Sequence, residues 1–283
     1  MAIDSTAPPE VPIERFSTLA DGLDHPECVA VGPDGRLYAG GEAGQVYRLD
    51  QSGPRLLANT GGFVLGLCLD ADSAIYACDQ FRHEVVRIDA DGTVESYSDR
   101  IQTPNYPVFT ADGTLFVSDS GSWDGKDGAL YRISPTGDCR RLDLEVPEFP
   151  NGLALSPAGD WLYLVLSQLP GVLRVPLAGG EVTGEPELVL DMPGHVPDGL
   201  AVLADGDVLI ACYNPDTIYR LHDGTATVLA HDPRRVVLAA PTNLALHGPG
   251  RSHLAVGSLG RWHVASVDIG RSGAPLAYPA LAR

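Results

Sequence analysis

Positive charge is scarce in this chain. Nineteen Lys plus Arg stand against 37 Asp plus Glu, a formal net charge of −18 over 283 residues. A field of that sign repels a duplex phosphate backbone and an anionic lipid surface, so neither nucleic acid nor a membrane is expected as a partner. Long apolar runs are missing too. None approaches the roughly 20 residues that cross a bilayer, and no N-terminal stretch joins basic residues to an apolar run as a leader does. The expected location is the cytoplasm. Cysteines number five, Cys28, Cys68, Cys78, Cys139 and Cys212, without a CxxC spacing. An odd count so spaced argues against a disulfide framework and against a thiolate zinc site. Cys68 and Cys78 lie in strand-like segments and read as small buried hydrophobes. Helix-length periodic segments are lacking as well, which leaves short strands and turns as the building material.

What is present is a repeat. FPNGLALSPAGDWLY, Phe149 to Tyr163, returns in variant form along the chain: a small residue, an alternating apolar triplet, a turn of Asp, Gly or Pro, and a second apolar strand. A third strand recurs with an arginine in third place, at Val46–Leu49, Val85–Ile88, Leu130–Ile133, Val172–Val175 and Ile218–Leu221, and in weaker form at Val264–Val267. Those arginines alternate away from the apolar face and are read as structural, pairing with aspartates or covering edges. A fourth strand follows, as in Arg55–Ala58 and Glu187–Leu190. Four antiparallel strands repeated six times, with a period near 40 residues, predict an all-β, six-bladed β-propeller. Residues 1–10 are expected as a flexible arm and residues 11–283 as a single propeller domain. The strand read at Val11–Leu19 and the C-terminal Pro275–Leu281 are both expected to complete the sixth blade, closing the ring.

Aligning the repeats on the apolar triplet puts Glu27, Leu65, Asn105, Asn151, Asp198 and Thr242 in one column, at intervals of 38, 40, 46, 47 and 44 residues. In a propeller the innermost strands run beside the central axis, so one repeat position becomes a ring at one end of the channel. Glu27, Asn105, Asn151 and Asp198 would then meet as two carboxylates and two amide oxygens. That hard, all-oxygen set suits one divalent ion, Ca²⁺ or Mg²⁺, with Mn²⁺ possible and Zn²⁺ less natural. Leu65 and Thr242 would shape an apolar side of the pocket or simply pack. Read singly, each asparagine or aspartate could instead cap a loop through backbone N–H groups.

At these motifs the chain resembles the gluconolactonase, senescence-marker-protein-30 and luciferin-regenerating-enzyme family of metal-dependent six-bladed propellers. The resemblance covers about Phe16 to Leu276 and is strongest in HPECVAVGPDGRLY, FPNGLALSPAGDWLY, PDGLAVLADGDVLIACY and PTNLAL. It implies a divalent metal, commonly calcium, held by Glu27, Asn151 and Asp198. It further implies that Asn105 contacts metal or substrate and that Asp198 can serve as a metal-linked base. Family lactonases often carry an arginine two residues before the Asn105 position and an aspartate after it. This chain reads Thr103-Pro104-Asn105-Tyr106, a departure that removes an anchor for sugar lactones and points to a flatter or more apolar partner touching Thr103, Asn105 and Tyr106.

The expected function is divalent-metal-dependent hydrolysis of a small lactone or related ester, by polarisation of the carbonyl and activation of water. Two other classes stay open: a non-catalytic metal-stabilised binding propeller and a metal-assisted isomerase or lyase. The partner is a small lactone or carbonyl compound, and the protein a monomer or small homo-oligomer. His25, His195 and His247 each lie near a column position and could move protons near neutral pH. His195, three residues before Asp198, is the catalytic candidate beside Asp198. Asn243 could turn inward or cap backbone. Trp123, Tyr213, Arg261 and Trp262 lie in loops joining second to third strands, which the strand-direction argument places away from the pocket.

Overall fold

The computed structural model of the chain describes residues 2–4, 6–98 and 100–281. Six antiparallel sheets stand around a central channel, in sequence order. Their inner strands are Val29–Val31, Val64–Leu69, Pro104–Phe109, Pro150–Leu155, Val196–Val202 and Pro241–His247. From each, the chain steps outward through a second strand, then the arginine-bearing third, then an outer fourth.

Sheets packed face to face bury both surfaces of their middle strands, which is why these read as near-continuous apolar runs. Between blades 2 and 3, Tyr76, Cys78 and Val85 pack against Phe109, Leu115 and Val117. Between blades 3 and 4, Phe116 and Leu130 meet Leu153, Leu164 and Leu173. The third-strand arginines face the other way and pair as expected: Arg48 with Asp50, Arg87 with Asp89, Arg132 with Glu181, Arg174 with Glu187, and Arg220 with both Asp207 and Glu10.

Neighbouring inner strands approach so closely near the axis that a side chain is excluded at some positions. A Cβ on Gly152 would stand 2.6 Å from the Asp198 carbonyl oxygen, and one on Gly199 would meet that of Thr242. Five of the six inner strands also change register against their second strand just at the column, for instance between Pro104 and Pro107 and between Pro150 and Leu153. An extra residue there breaks the alternation of faces.

The ring closes with a strand from the N-terminal part of the chain. Ser17–Asp21 is the outer strand of blade 6 and pairs antiparallel with His263–Asp268. The segment just before it, Ile13–Arg15, is a 3-10 turn, so the strand lies later than the predicted Val11–Leu19. Within the first ten residues, Ala2–Asp4 adds to blade 5 as a fifth strand, parallel to Thr225–His231. Pro275–Leu281 departs from expectation. It forms no blade strand and crosses the far end of the channel, where Ala71 donates to the Pro279 carbonyl at 3.0 Å and the Tyr278 hydroxyl to Val31 at 2.8 Å. Two prolines, Pro275 and Pro279, restrict this backbone and disfavour a sheet ladder, and the apolar side chains that the segment lays over the channel suit it to a strap.

Candidate functional site

At one end of the channel a pocket of about 300 Å³ is lined by Glu27, Leu65, Asn105, Asn151 and Asp198, five of the six column residues. The repeat thus does what its spacing implies. Thr242, the sixth, is buried and turns to the backbone, donating to the Glu27 carbonyl at 2.6 Å across the blade 6 to blade 1 seam.

The two asparagines are held by a shared device. Asn105 Nδ2 donates to Ser120 Oγ at 2.9 Å, and Ser120 Oγ donates to the Pro150 carbonyl of the next inner strand at 2.7 Å. One blade on, Asn151 Nδ2 donates to Ser167 Oγ at 3.3 Å, which donates to the Pro197 carbonyl at 2.7 Å. Each serine spends its proton on the neighbouring blade and so accepts from the amide, which fixes which end of the amide is nitrogen. The oxygen end is left for the pocket. These serines were not among the predicted site residues, although Ser120 and Ser167 stand at one repeat position, directly after the second strands of blades 3 and 4.

Glu27 and Asp198 feel one another. Burial pushes the Glu27 carboxyl up to about 8, with the nearby Glu42 adding to the rise. Asp198 is also driven well up, by burial first and then by the charge of Glu27, with a hydrogen bond from Asn151 pulling the other way. Among the described residues, no Lys or Arg lines the pocket. Two carboxylates of like charge, desolvated and without a cationic side chain, form a site that is electrostatically incomplete and that a small divalent cation would complete. The donor set therefore fits a hard metal ion: Glu27 and Asp198 supply charge, and Asn105 and Asn151 supply oriented amide oxygens. Among the described residues a second group, Asp24, His25 and Glu42, brings ligand atoms within 4.8 Å of one another at the rim. There His25 Nδ1 already bonds both carboxylates, at 3.3 Å to Asp24 and 3.0 Å to Glu42.

The remaining wall is largely aromatic and aliphatic. Phe63, Trp123, Phe149, Val196, Tyr213 and Leu259 line it, with Thr103 and Gln80. Trp123 stands edge-on to Phe149 with ring centroids 4.7 Å apart. This corrects the placement of the second-to-third-strand loops. The inner strand runs away from the column and the second strand returns, so the hairpin beyond it comes back to the pocket face. Trp262 shares that face but sits outside the lining, tilted against the His25 ring at 5.8 Å.

Other predicted residues are placed elsewhere. His195 is not brought to the pocket: Nε2 bonds the Tyr219 hydroxyl at 2.9 Å and Nδ1 the Pro193 carbonyl at 3.0 Å, on the outer side of blade 5. His247 bonds Ser266 Oγ at 3.0 Å, and burial lowers its pKa to about 4. Thr103 lines the pocket, its N–H tied to Asp119 at 2.8 Å. Tyr106 lines a different, deeper cavity, where burial pushes its hydroxyl's pKa up and the Asn243 side chain pulls the other way. Cys28, Cys68, Cys78 and Cys212 are free thiols, and among the described residues no helix is long and apolar enough to cross a membrane.

Comparison with known proteins extends this geometry. Several solved structures share the fold. Regucalcin, a calcium-binding protein from Agrobacterium tumefaciens, is 18% identical with a TM-score of 0.78, covering 98% of this chain and 100% of that one. A gluconolactonase from Xanthomonas campestris is 20% identical with a TM-score of 0.75, covering 89% and 88%. A luciferin-regenerating enzyme is 17% identical with a TM-score of 0.74, covering 93% and 99%. By sequence, the adipocyte plasma membrane-associated protein of Rattus norvegicus is 28% identical over 117 residues, 37% of this chain and 31% of that protein. The chain thus matches about a third of the length of that curated relative. Residues 15–49 match the description "Strictosidine synthase-like, N-terminal". Residues 98–260, more than half of the chain, match the SMP-30/Gluconolactonase/LRE-like region, and the chain belongs to that family.

Proposed function

We propose that the protein is a divalent-metal-dependent hydrolase that opens a small lactone or related ester, with calcium the favoured ion. The observation that carries this reading is the convergence of Glu27 and Asp198, both raised by burial and Asp198 also by the charge of Glu27, with two serine-fixed asparagines in one pocket that holds no basic side chain among the described residues. Glu27, Asn105, Asn151 and Asp198 would hold the ion, which when bound polarises an ester carbonyl and stabilises the charge that develops on its oxygen. The fold shared with a calcium-binding regucalcin supports the choice of ion.

The chain's own groups do the rest. Asp198 would accept the proton of the attacking water as hydroxide adds to the carbonyl carbon, and return it to the ring oxygen as the ring C–O bond breaks, leaving a hydroxy acid. Trp123, Phe149 and Phe63 would hold a flat or apolar ring against one wall, while Thr103 borders it on the polar side. With an aromatic wall and no arginine in the lining, an uncharged apolar lactone is favoured over an acidic sugar lactone.

The test is an uncharged lactone panel run in ¹⁸O-water beside metal analysis of wild type and Asp198→Asn. Ring opening with solvent oxygen in the product, at least about a hundredfold slower in the variant, is expected. A product of unchanged formula would move the protein to the isomerases, and bound metal without turnover would make it a binding propeller.

A further inference from the structure

The channel is divided. Below the polar pocket lies a second cavity of about 110 Å³, walled by Leu69, Phe109, Leu155, Val202 and Leu246 and closed from beneath by Pro275–Tyr278. The two cavities share no lining residue. Between them is the layer next to the column: Cys28, Gly66, Tyr106, Gly152, Gly199 and Asn243. Three of these have no side chain, and Cys28 turns away among the residues packed between blades 1 and 2. Tyr106 and Asn243 are left. They belong to blades 3 and 6, opposite one another in a ring of six, and the Asn243 side chain acts on the Tyr106 hydroxyl. The Tyr106 side chain, which lines the lower cavity, therefore reaches across the channel. Asn243 is itself held from the next blade, where its Oδ1 accepts from the Val29 N–H at 3.3 Å.

The inner strand explains how Tyr106 comes to lie there. Strict alternation would turn it away from the axis if Asn105 faces it. The register shift between Pro104 and Pro107 lets both neighbours serve the channel, Asn105 above and Tyr106 below.

We propose that Tyr106 is a specificity-determining partition: its side chain caps the lower cavity directly beneath Asn105 and keeps the acyl or alkyl part of a substrate in the upper pocket out of the apolar chamber beneath. This rests on the hydrolase reading for its kinetic consequence, though not for its geometry. Short lactones fit above the floor. A lactone bearing a long linear alkyl chain is rejected, because the apolar chamber below the pocket, which would take the chain, is blocked. Removing the ring joins the chambers, and the lower one, a little smaller than a cavity that accepts benzene, has room for a few methylenes.

The experiment compares wild type, Tyr106→Ala and Tyr106→Phe on δ-lactones with alkyl substituents of one to eight carbons. The alanine variant is expected to raise kcat/KM for the longer chains relative to the shortest by about tenfold or more, while phenylalanine, which keeps the ring and loses the hydroxyl, keeps the wild-type profile. Tyr106→Val replaces alanine where the latter does not fold. A second readout needs no turnover: crystals are soaked with 2-hexyltetrahydropyran, which has no ester to cleave. Chain density between Phe109 and Leu155 in the small-residue variant, absent in wild type, supports the partition. An unchanged chain-length profile together with a hexyl chain directed to the upper mouth in a folded variant overturns it. If wild type opens no lactone at all, the hydrolase reading fails while the soak still decides the partition.

Discussion

Glu27→Gln should make the metal-free protein more stable at alkaline pH while abolishing its response to calcium. Glu27 rises from an ordinary 4.5 to about 8 in the folded chain, by burial and then by Glu42. Between those values the folded state holds a proton that the unfolded state releases, so stability falls as pH rises through the interval and is fully lost above about 8. At roughly 1.4 kcal/mol per pH unit, the loss is bounded near 5 kcal/mol. Glu27 keeps some surface toward a pocket of about 300 Å³. Water there screens the charge, and a destabilisation of about 2–3 kcal/mol is the working figure. Glutamine has nearly the same shape and does not titrate. Urea unfolding in excess chelator at pH 5 and pH 8.5 isolates the effect: the two proteins should match at the lower pH, with the variant ahead by about 2–3 kcal/mol at the higher one. Added calcium should then stabilise wild type and leave the variant where it was. A variant equal to or weaker than wild type at pH 8.5 in chelator would refute the electrostatic account of this pocket.

Ser120→Ala and Ser167→Ala should each weaken calcium binding about ten- to a hundredfold with the fold retained, because each frees an amide that the serine orients; titration calorimetry reads this directly. Trp123→Ala should raise KM for aromatic lactones several-fold with little change in kcat, since Trp123 packs on Phe149 in the wall and touches no predicted proton-transfer group. His247, lowered to about 4 by burial and then by the neighbouring His253, is bound neutral in the fold. The unfolded chain takes up its proton first, so stability should drop as pH falls from about 6.5 towards 4. His247→Gln should flatten that slope in unfolding curves taken across the interval.

Much of the architecture can be read from residue order because a propeller is assembled from local units. Each blade is a meander whose strands follow one another, so the alternating triplets, the Asp-Gly turns and the recurring arginine mark strands that pair with their own neighbours. Equal repeat positions then become equal radial positions, which is how Glu27, Asn105, Asn151 and Asp198 could be grouped across 172 positions of chain before any contact was known. Charge type along that column was likewise visible, and with it the hard-oxygen character of the site.

Tertiary structure alone decided what broke the periodicity. A one-residue register change between Pro104 and Pro107 put Tyr106 below Asn105 in the channel, and no alternation rule anticipates a bulge. Strand direction, counted from the closed blade, brought Trp123 and Tyr213 to the pocket. His195 went outward to Tyr219 because hydrogen-bonding partners on blade 5 took both its nitrogens. Pro275–Tyr278 became the base of the channel, a role set by where six inner strands end and so invisible within any single repeat. The roles of Ser120 and Ser167 depend on carbonyls one blade further on, at Pro150 and Pro197. What the residues determined by themselves was the unit and its radial order; what the closed ring decided was which side chains cross between units, since those contacts exist only once the blades curve around a common axis.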